Sequence, residues 1–176
     1  QPISKENLSG RSCPADNVTL TPGGDAANEA VTLARLRKAV NLITKLGGDL
    51  GGQLLLNYFR ENGVSTEDAV IEPDLDTGIN IVLVDPKAER SFITNRNGSL
   101  RRLALEDVHM DALKKAPILC FASIFVSPRF DVPAMVSLFR SAREQGCILC
   151  ADMTRCKNNE RLPDIQEALQ YLDYLF

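Results

Sequence analysis

The sequence predicts an α/β protein: a parallel sheet between helices, three layers in all, with a small β structure projecting from it. Three observations carry this. From residue 100 onward, dense apolar runs of strand length alternate with stretches of helical periodicity, which is the pattern of parallel βαβ units. Between residues 69 and 96, two alternating runs are joined through a short turn, the mark of a hairpin rather than a crossover. Near the amino end, Pro22-Gly23-Gly24 runs straight into Asp25-Ala26-Ala27-Asn28 and a helix.

Taken in order, residues 1–15 are polar and turn-rich, and Asn17–Thr21 alternates as a short strand would. A helix is predicted from about Ala26 to Arg37, with Ala30, Leu33, Ala34 and Arg37 at helical spacing. Asn41–Leu46 reads as a short apolar strand. The glycine-rich turn 47–52 then opens a second helix, with Leu54, Leu55, Tyr58 and Phe59 on its apolar side and Asn62-Gly63 as its stop. Ala69–Glu72 is brief and extended. Gly78–Val84 and Ser91–Asn95 are the hairpin strands. Leu103–Lys115 reads as a helix with Val108 and Leu113 inward, and Pro117–Phe125 as a buried strand. In the helix Asp131–Gln145, Val132, Met135, Leu138, Phe139 and Ala142 form one stripe of core, which Gly146 terminates. Cys147–Asp152 is a second buried strand, Leu162–Leu172 a last helix, and Asp173–Phe176 the start of a further strand.

A chain of 176 residues makes one domain or most of one. Its net charge of −3 gives a nucleic-acid partner no electrostatic support. No apolar run approaches the ~20 residues that cross a bilayer. The start, Gln1-Pro2-Ile3-Ser4-Lys5, has neither an initiating Met nor an apolar signal core, so the native amino end is expected elsewhere and no membrane role is expected. Five cysteines, three of them (Cys120, Cys147 and Cys150) inside apolar runs, point to reduced thiols and a cytoplasmic protein. Cys147 and Cys150 would face opposite sides of a strand, which argues against a metal or redox pair. His109, the one histidine, reads as a surface residue.

Candidate site residues follow from chemistry. Gly23 and Gly24 let a ligand approach the backbone, the N–H groups of the helix's first turn face the same space, and Asp25 and Asn28 add polar side chains. This suits a small hydroxylated molecule. The plain alternative is a capped helix with Asp25 as its N-cap. Ser123 and Asp152 fall at the carboxyl ends of strands, where ligands bind in parallel sheets. A carboxylate directly after an apolar run is seldom there for packing.

These pieces resemble the PfkB, or ribokinase-like, family of carbohydrate kinases. Gly23-Gly24-Asp25-Ala26-Ala27-Asn28 is similar to the family's GG-x-x-x-N turn and helix. Lys45 through Gly52 is similar to its K-V-G-x-D-x-x-G turn, Phe59–Val64 to the end of the next helix, and Thr77–Asp85 with Glu89-Arg90 to its lid hairpin. The resemblance implies a ribokinase-like, Rossmann-like sheet with a β lid at about 69–96, to which 17–21 is a candidate addition. It implies an enzyme that phosphorylates a sugar or sugar-acid hydroxyl with ATP and Mg²⁺. By the same resemblance Gly23, Gly24, Asp25 and Asn28 contact the sugar, Gly47 and Asp49 shape the neighbouring turn at the substrate, Arg96 is a lid-proximal arginine, and Ser123 and Asp152 face the sugar from strand ends. Asp49 as a helix cap and Arg96 as a solvated charge are the simpler readings of those two.

The sequence departs from the family in two places. Where the family has D-x-N-x-R, this chain reads Asp152-Met153-Thr154-Arg155-Cys156-Lys157, leaving Arg155 or Lys157 to supply a cation. The catalytic G-A-G-D and the metal-associated N-x-x-E are absent, as is the family's first strand. The expectation is one incomplete domain over 1–176 holding most of the sugar side, inactive alone, within a parent enzyme that dimerises through its lid. A non-catalytic sugar-binding module is the alternative, and a dinucleotide-binding domain a weaker one, since the glycines do not follow G-x-G-x-x-G.

Overall fold

The computed structural model describes residues 15, 17–85, 87–95, 97–154 and 161–176. Helix α1 (Asp25–Arg35) leads to strand β1 (Lys45–Gly47) and helix α2 (Leu50–Glu61). Strand β2 (Val70–Glu72) lies parallel to β1, with Lys45 opposite Val70 and Gly47 opposite Glu72. β3 (Asn80–Val84) and β4 (Arg90–Thr94) form the antiparallel hairpin, Val82 facing Phe92. β5 (Ile118–Ile124), helix α3 (Val132–Glu144) and β6 (Ile148–Met153) make a right-sized βαβ unit. β7 (Tyr174–Leu175) adds to it after the short helix α4 (Gln166–Leu169).

The parallel strands fall into two groups, β1–β2 and β5–β6–β7, and the hairpin stands alone. The sequence suggested one parallel sheet with a hairpin projecting from it; among the described residues the hydrogen bonds divide the parallel strands into two groups and keep the hairpin separate. The apolar run at 41–46 explains part of this. Only its end is a strand, while Asn41 makes a single bridge to Ser65.

Three further expectations change. Residues 17–21 form no strand: Val18 and Leu20 are exposed and the segment pairs with nothing among the described residues. The stretch 103–115 forms two tight 3-10 segments, Leu105–Asp107 and Met110–Lys115, instead of one α-helix. Val108 and Leu113 still point inward, so the apolar spacing was right and the winding was not. The last helix is likewise a 3-10 turn followed by one α-helical turn, and Pro163 sits where a first turn tolerates it.

The larger core lies where α3 covers β5 and β6. Phe139, Ala142, Ile124 and Leu149 are wholly buried there, and Phe139 meets Phe121 edge-on at 5.3 Å. Asp131 caps α3 by accepting the Ala134 N–H at 3.0 Å, with Pro133 in the first turn. Gly146 ends it with φ +83°. A second cluster joins α1 to α2 through Ala30, Val31, Leu42, Phe59 and Val64. Asp173 fastens β7 to β6 by accepting the Leu149 N–H at 2.8 Å while Arg143 donates to it. These donors hold its carboxyl below the usual range, the Leu149 N–H first.

Candidate functional site

Gly24, not Asp25, is the N-cap of α1. Its φ of +110° belongs to glycine, and no side chain caps the helix. Asp25 is thereby the first helical residue, and its carboxylate is released from capping. It reaches across 98 positions of sequence to Ser123, whose Oγ stands 2.7 Å from Asp25 Oδ2. The same Oγ stands 2.9 Å from Asp152 Oδ2. The turn at Gly23-Gly24 and the ends of β5 and β6 therefore meet in one place. Gly24, Asp25, Ser123 and Asp152 are brought together there, with Gly23 beside them.

A serine hydroxyl carries one hydrogen, so it donates to one carboxylate at a time and turns its lone pairs to the other. Two acids thus share one donor. Glu29, one turn along α1 from Asp25, faces the same cluster. Burial first, then the charges of Asp152 and Asp25, raise its carboxyl above the ordinary glutamate range. Asp152 Oδ1 is buried and has no hydrogen-bond partner among the described residues. A buried acceptor left unpaired costs about 1–3 kcal/mol, which a ligand O–H would recover. The arrangement is acceptor-rich and donor-poor, and suits a molecule that offers several hydroxyl hydrogens.

Asn28 lies one turn into α1, exposed, with its backbone N–H on the Gly24 carbonyl at 2.9 Å. Its side chain has no protein partner among the described residues. Arg96, Arg155 and Lys157, named from sequence, lie outside the described residues.

Asp49 is placed differently. Oδ1 accepts the Gly52 N–H at 2.8 Å as the N-cap of α2 and the Thr77 hydroxyl at 2.5 Å; Oδ2 accepts the Thr77 N–H at 2.9 Å. The helix-cap reading fits this geometry, and a second task is added to it: Asp49 fixes the root of the hairpin. Thr77, buried, also takes the Gly47 N–H on its Oγ1 at 3.1 Å. Asn95 and Ser99 complete the root by bonding Ile79, Thr77 and Gly78. The donors to Asp49, Thr77 foremost, hold its carboxyl below the usual range. Glycine is required in this turn because a Cβ on Gly47 would meet the Leu75 carbonyl oxygen, and one on Gly52 the Gly47 carbonyl oxygen.

Sequence reasoning missed two links. Lys45 Nζ is enclosed by Asp107 at 2.9 Å and Glu72 at 2.9 Å, with Lys45 and Asp107 each 9% exposed at the side chain. Asp107 first, then Glu72, outweighs burial and raises the ammonium's pKa. Asp68 accepts from Asn41 at 2.5 Å and pairs with the exposed His109 at 3.1 Å. Cys147 gives its S–H to the Ala116 carbonyl at 3.0 Å, and burial pushes its thiol up, as suits an inert core thiol.

A parallel sheet with polar groups at its strand ends and an antiparallel hairpin rooted beside them is the fold of ribokinase-like sugar kinases. The chain belongs to the family described as pfkB family carbohydrate kinase, whose model matches residues 3–176. It is 34% identical over 143 residues to a probable chloroplastic fructokinase-6 of Arabidopsis thaliana, covering 81% of this chain and 36% of that protein. The fructokinase of Xylella fastidiosa, in a crystal structure with bound ATP, is 27% identical with a TM-score of 0.72, over 87% of this chain and half of that one. A 2-dehydro-3-deoxygluconokinase of Thermotoga maritima shares the fold with a TM-score of 0.78 at 20% identity, over 91% of this chain and 51% of its own. The chain thus spans about half the length, or less, of the relatives it matches.

Proposed function

We propose that the whole protein transfers a phosphoryl group from ATP to a hydroxyl of a sugar or sugar acid, and that this chain supplies most of its sugar-binding side. The observation that carries the reading is the strand-end cluster: Asp25 and Asp152 share the Ser123 hydroxyl, and Asp152 Oδ1 is buried without a donor among the described residues. In this reading the carboxylates accept hydrogen bonds from sugar hydroxyls, and Gly23 and Gly24 let the sugar lie against the backbone. Asn28 adds a side-chain amide, and the family resemblance adds Arg96, which lies outside the described residues. Asp49 positions the hairpin as a lid through Thr77 and touches no sugar itself.

ATP and Mg²⁺ belong to the proposal on the strength of the family and of the ATP-bound fructokinase. Among the described residues no group of three His, Cys, Asp or Glu stands together as a metal site. The segments that the resemblance associates with ATP and the metal, G-A-G-D and N-x-x-E, do not occur in these 176 residues. The chain alone is expected to bind sugar without turning over. Exposed Ile79, Ile81, Val82, Val84, Phe92 and Ile93 on the hairpin support a homodimer in which each lid covers the other, since a two-stranded sheet is marginal alone. The free thiols Cys120, Cys147 and Cys150 support a cytoplasmic, reducing setting, and among the described residues no helix is long and apolar enough to cross a membrane.

The test is a coupled ADP-release assay on the whole protein against fructose, ribose, nucleosides and sugar acids. Turnover with one of them, reduced about a hundredfold by Asp152→Ala, is the expected result. No ATP consumption with any sugar, together with sugar binding, would favour a non-catalytic sugar-binding module.

A further inference from the structure

The two strands that end at the candidate site do not run in step. On β6 the core side chains alternate strictly: Leu149, Ala151 and Met153 all pack into the larger core. On β5 they alternate as far as Leu119 and Phe121 and then skip a place. Ile124 takes the next core position, wholly buried and opposite Met153. Two residues of β5, Ala122 and Ser123, therefore stand against Asp152 alone. An extra residue of this kind is a bulge, and bulges re-aim side chains.

Without the extra residue, the period of two would turn Ser123 toward α3 and set Ala122 against Asp152. With it, Ile124 fills the core and Ser123 faces the other way, buried, with its Oγ 2.7 Å from Asp25 Oδ2 and 2.9 Å from Asp152 Oδ2. The hydroxyl that the two carboxylates share is thus delivered by the bulge.

A bulge interrupts the ladder, so the chain beyond it needs another hold. The Ile124 carbonyl receives two bonds from Thr154, from its N–H at 3.3 Å and from its Oγ1 at 3.3 Å. The N–H is common to every residue but proline; the hydroxyl is the side chain's own contribution. Phe125 follows at φ +71°, a conformation that a bulky residue takes only where its neighbours impose it. The Val126 N–H then turns back to the Ser123 carbonyl at 3.2 Å. Thr154 lies two positions past Asp152, where the resembled motif has Asn. One short segment therefore carries both a carboxylate of the site and the clasp that holds β5 against it.

We infer that Thr154 is a positioning residue of the sugar site: its hydroxyl clasps the Ile124 carbonyl and fixes the register in which Ser123 stands between Asp25 and Asp152. Thr154 acts through Ser123 and touches no sugar itself. The inference rests on the sugar-kinase reading for what the cluster binds and adds what holds the cluster in shape.

The test uses the whole protein and whichever of fructose, ribose, gluconate and adenosine it turns over fastest in the ADP-release assay. Thr154→Val removes the hydroxyl and keeps the N–H bond. It is expected to raise KM for that sugar about fivefold and to leave KM for ATP within about twofold. Thr154→Ser keeps the hydroxyl and is expected to stay within about twofold of the parent for both. In a Ser123→Ala background, Thr154→Val is expected to add nothing, a non-additivity that a general loosening of the fold does not give. Circular dichroism checks each fold; should valine disturb it, Thr154→Ala makes the same deletion. An unchanged sugar KM, an equal rise for ATP, no rescue by serine, or full additivity with Ser123→Ala overturns the positioning role and leaves the sugar reading in place. Where a sugar is bound without turnover, its Kd by calorimetry is compared instead. If none of the four is turned over or bound, the sugar reading falls and the positioning role falls with it.

Discussion

Two acidic regions of this chain look alike in sequence and are opposites in structure. At the hairpin root, Asp49 has its carboxylate filled by the Gly52 N–H and by the N–H and hydroxyl of Thr77. At the strand ends, Asp25 and Asp152 share one serine hydroxyl, their charges act on Glu29, and an oxygen of Asp152 has no partner among the described residues. A satisfied carboxylate builds structure. An unsatisfied one, buried with like charges, costs stability and is kept where a ligand completes it. The contrast supports the proposal that Asp49 works through the hairpin root and that recognition centres on Ser123.

The largest expected effect is at the satisfied region. Asp49→Ala removes the cap of α2 and leaves the Thr77 N–H, in the buried root, without an acceptor. A loss of about 3 kcal/mol is expected, read by urea unfolding. Asp49 is held below its unfolded value near 3.9, so its contribution is complete above that pH and is lost as pH falls through the folded value. Asp49→Asn should therefore flatten the acid limb of the stability profile. An unchanged acid limb, with Asp173 left in place, would dissolve the contrast.

Ser123→Ala comes next. It removes the donor that two carboxylates share, and a destabilisation of about 1 kcal/mol is expected with sugar affinity falling about tenfold. If the fold weakens and binding does not change, the cluster is structural like its counterpart. Glu29→Gln should go the other way. Burial and the neighbouring charges raise Glu29, so its native state favours the proton; the stability this confers is present below the unfolded value near 4.3 and lost as pH rises through the folded one. The amide variant is then more stable than the parent at neutral pH by a fraction of a kcal/mol, and equal to it in acid. A loss at neutral pH would overturn the assignment of frustration to this cluster.

Much of this fold was legible because its signals are local. The stripe from Val132 to Ala142, the stop at Gly146 and the alternation of the hairpin lie within one element each, and they fold as read. The site was legible only in pieces. Asp25 looked like a helix cap because Asp caps helices, and nothing nearby in sequence shows that Gly24 takes that place with a positive φ and frees it. The partner that gives Asp25 its role is 98 residues away. Strand-end position and family resemblance proposed Ser123 and Asp152 as sugar contacts, but neither signal shows the hydrogen bond between them. The 103–115 segment failed differently, since apolar spacing fixes which residues face inward and leaves α and 3-10 winding undecided.

The smallest expected effect on stability concerns the hairpin that Asp49 anchors. Val82 and Phe92 are a register pair on β3 and β4, 43% and 58% exposed, so the folded chain gains little from either. Val82→Lys should shift unfolding by no more than about 0.5 kcal/mol, as exposed substitutions do. Its consequence is instead in association. If the hairpins of two copies cover each other, a lysine facing that contact brings an unpaired charge into it, and the whole protein should pass from dimer to monomer in light scattering without losing its fold. If the anchored root alone gives the hairpin its role, the variant and the parent will have the same mass at every concentration, and the exposed apolar face is then left for the sugar side of its own subunit. The two outcomes decide whether the satisfied region ends at Thr77 or extends through the hairpin to a second copy.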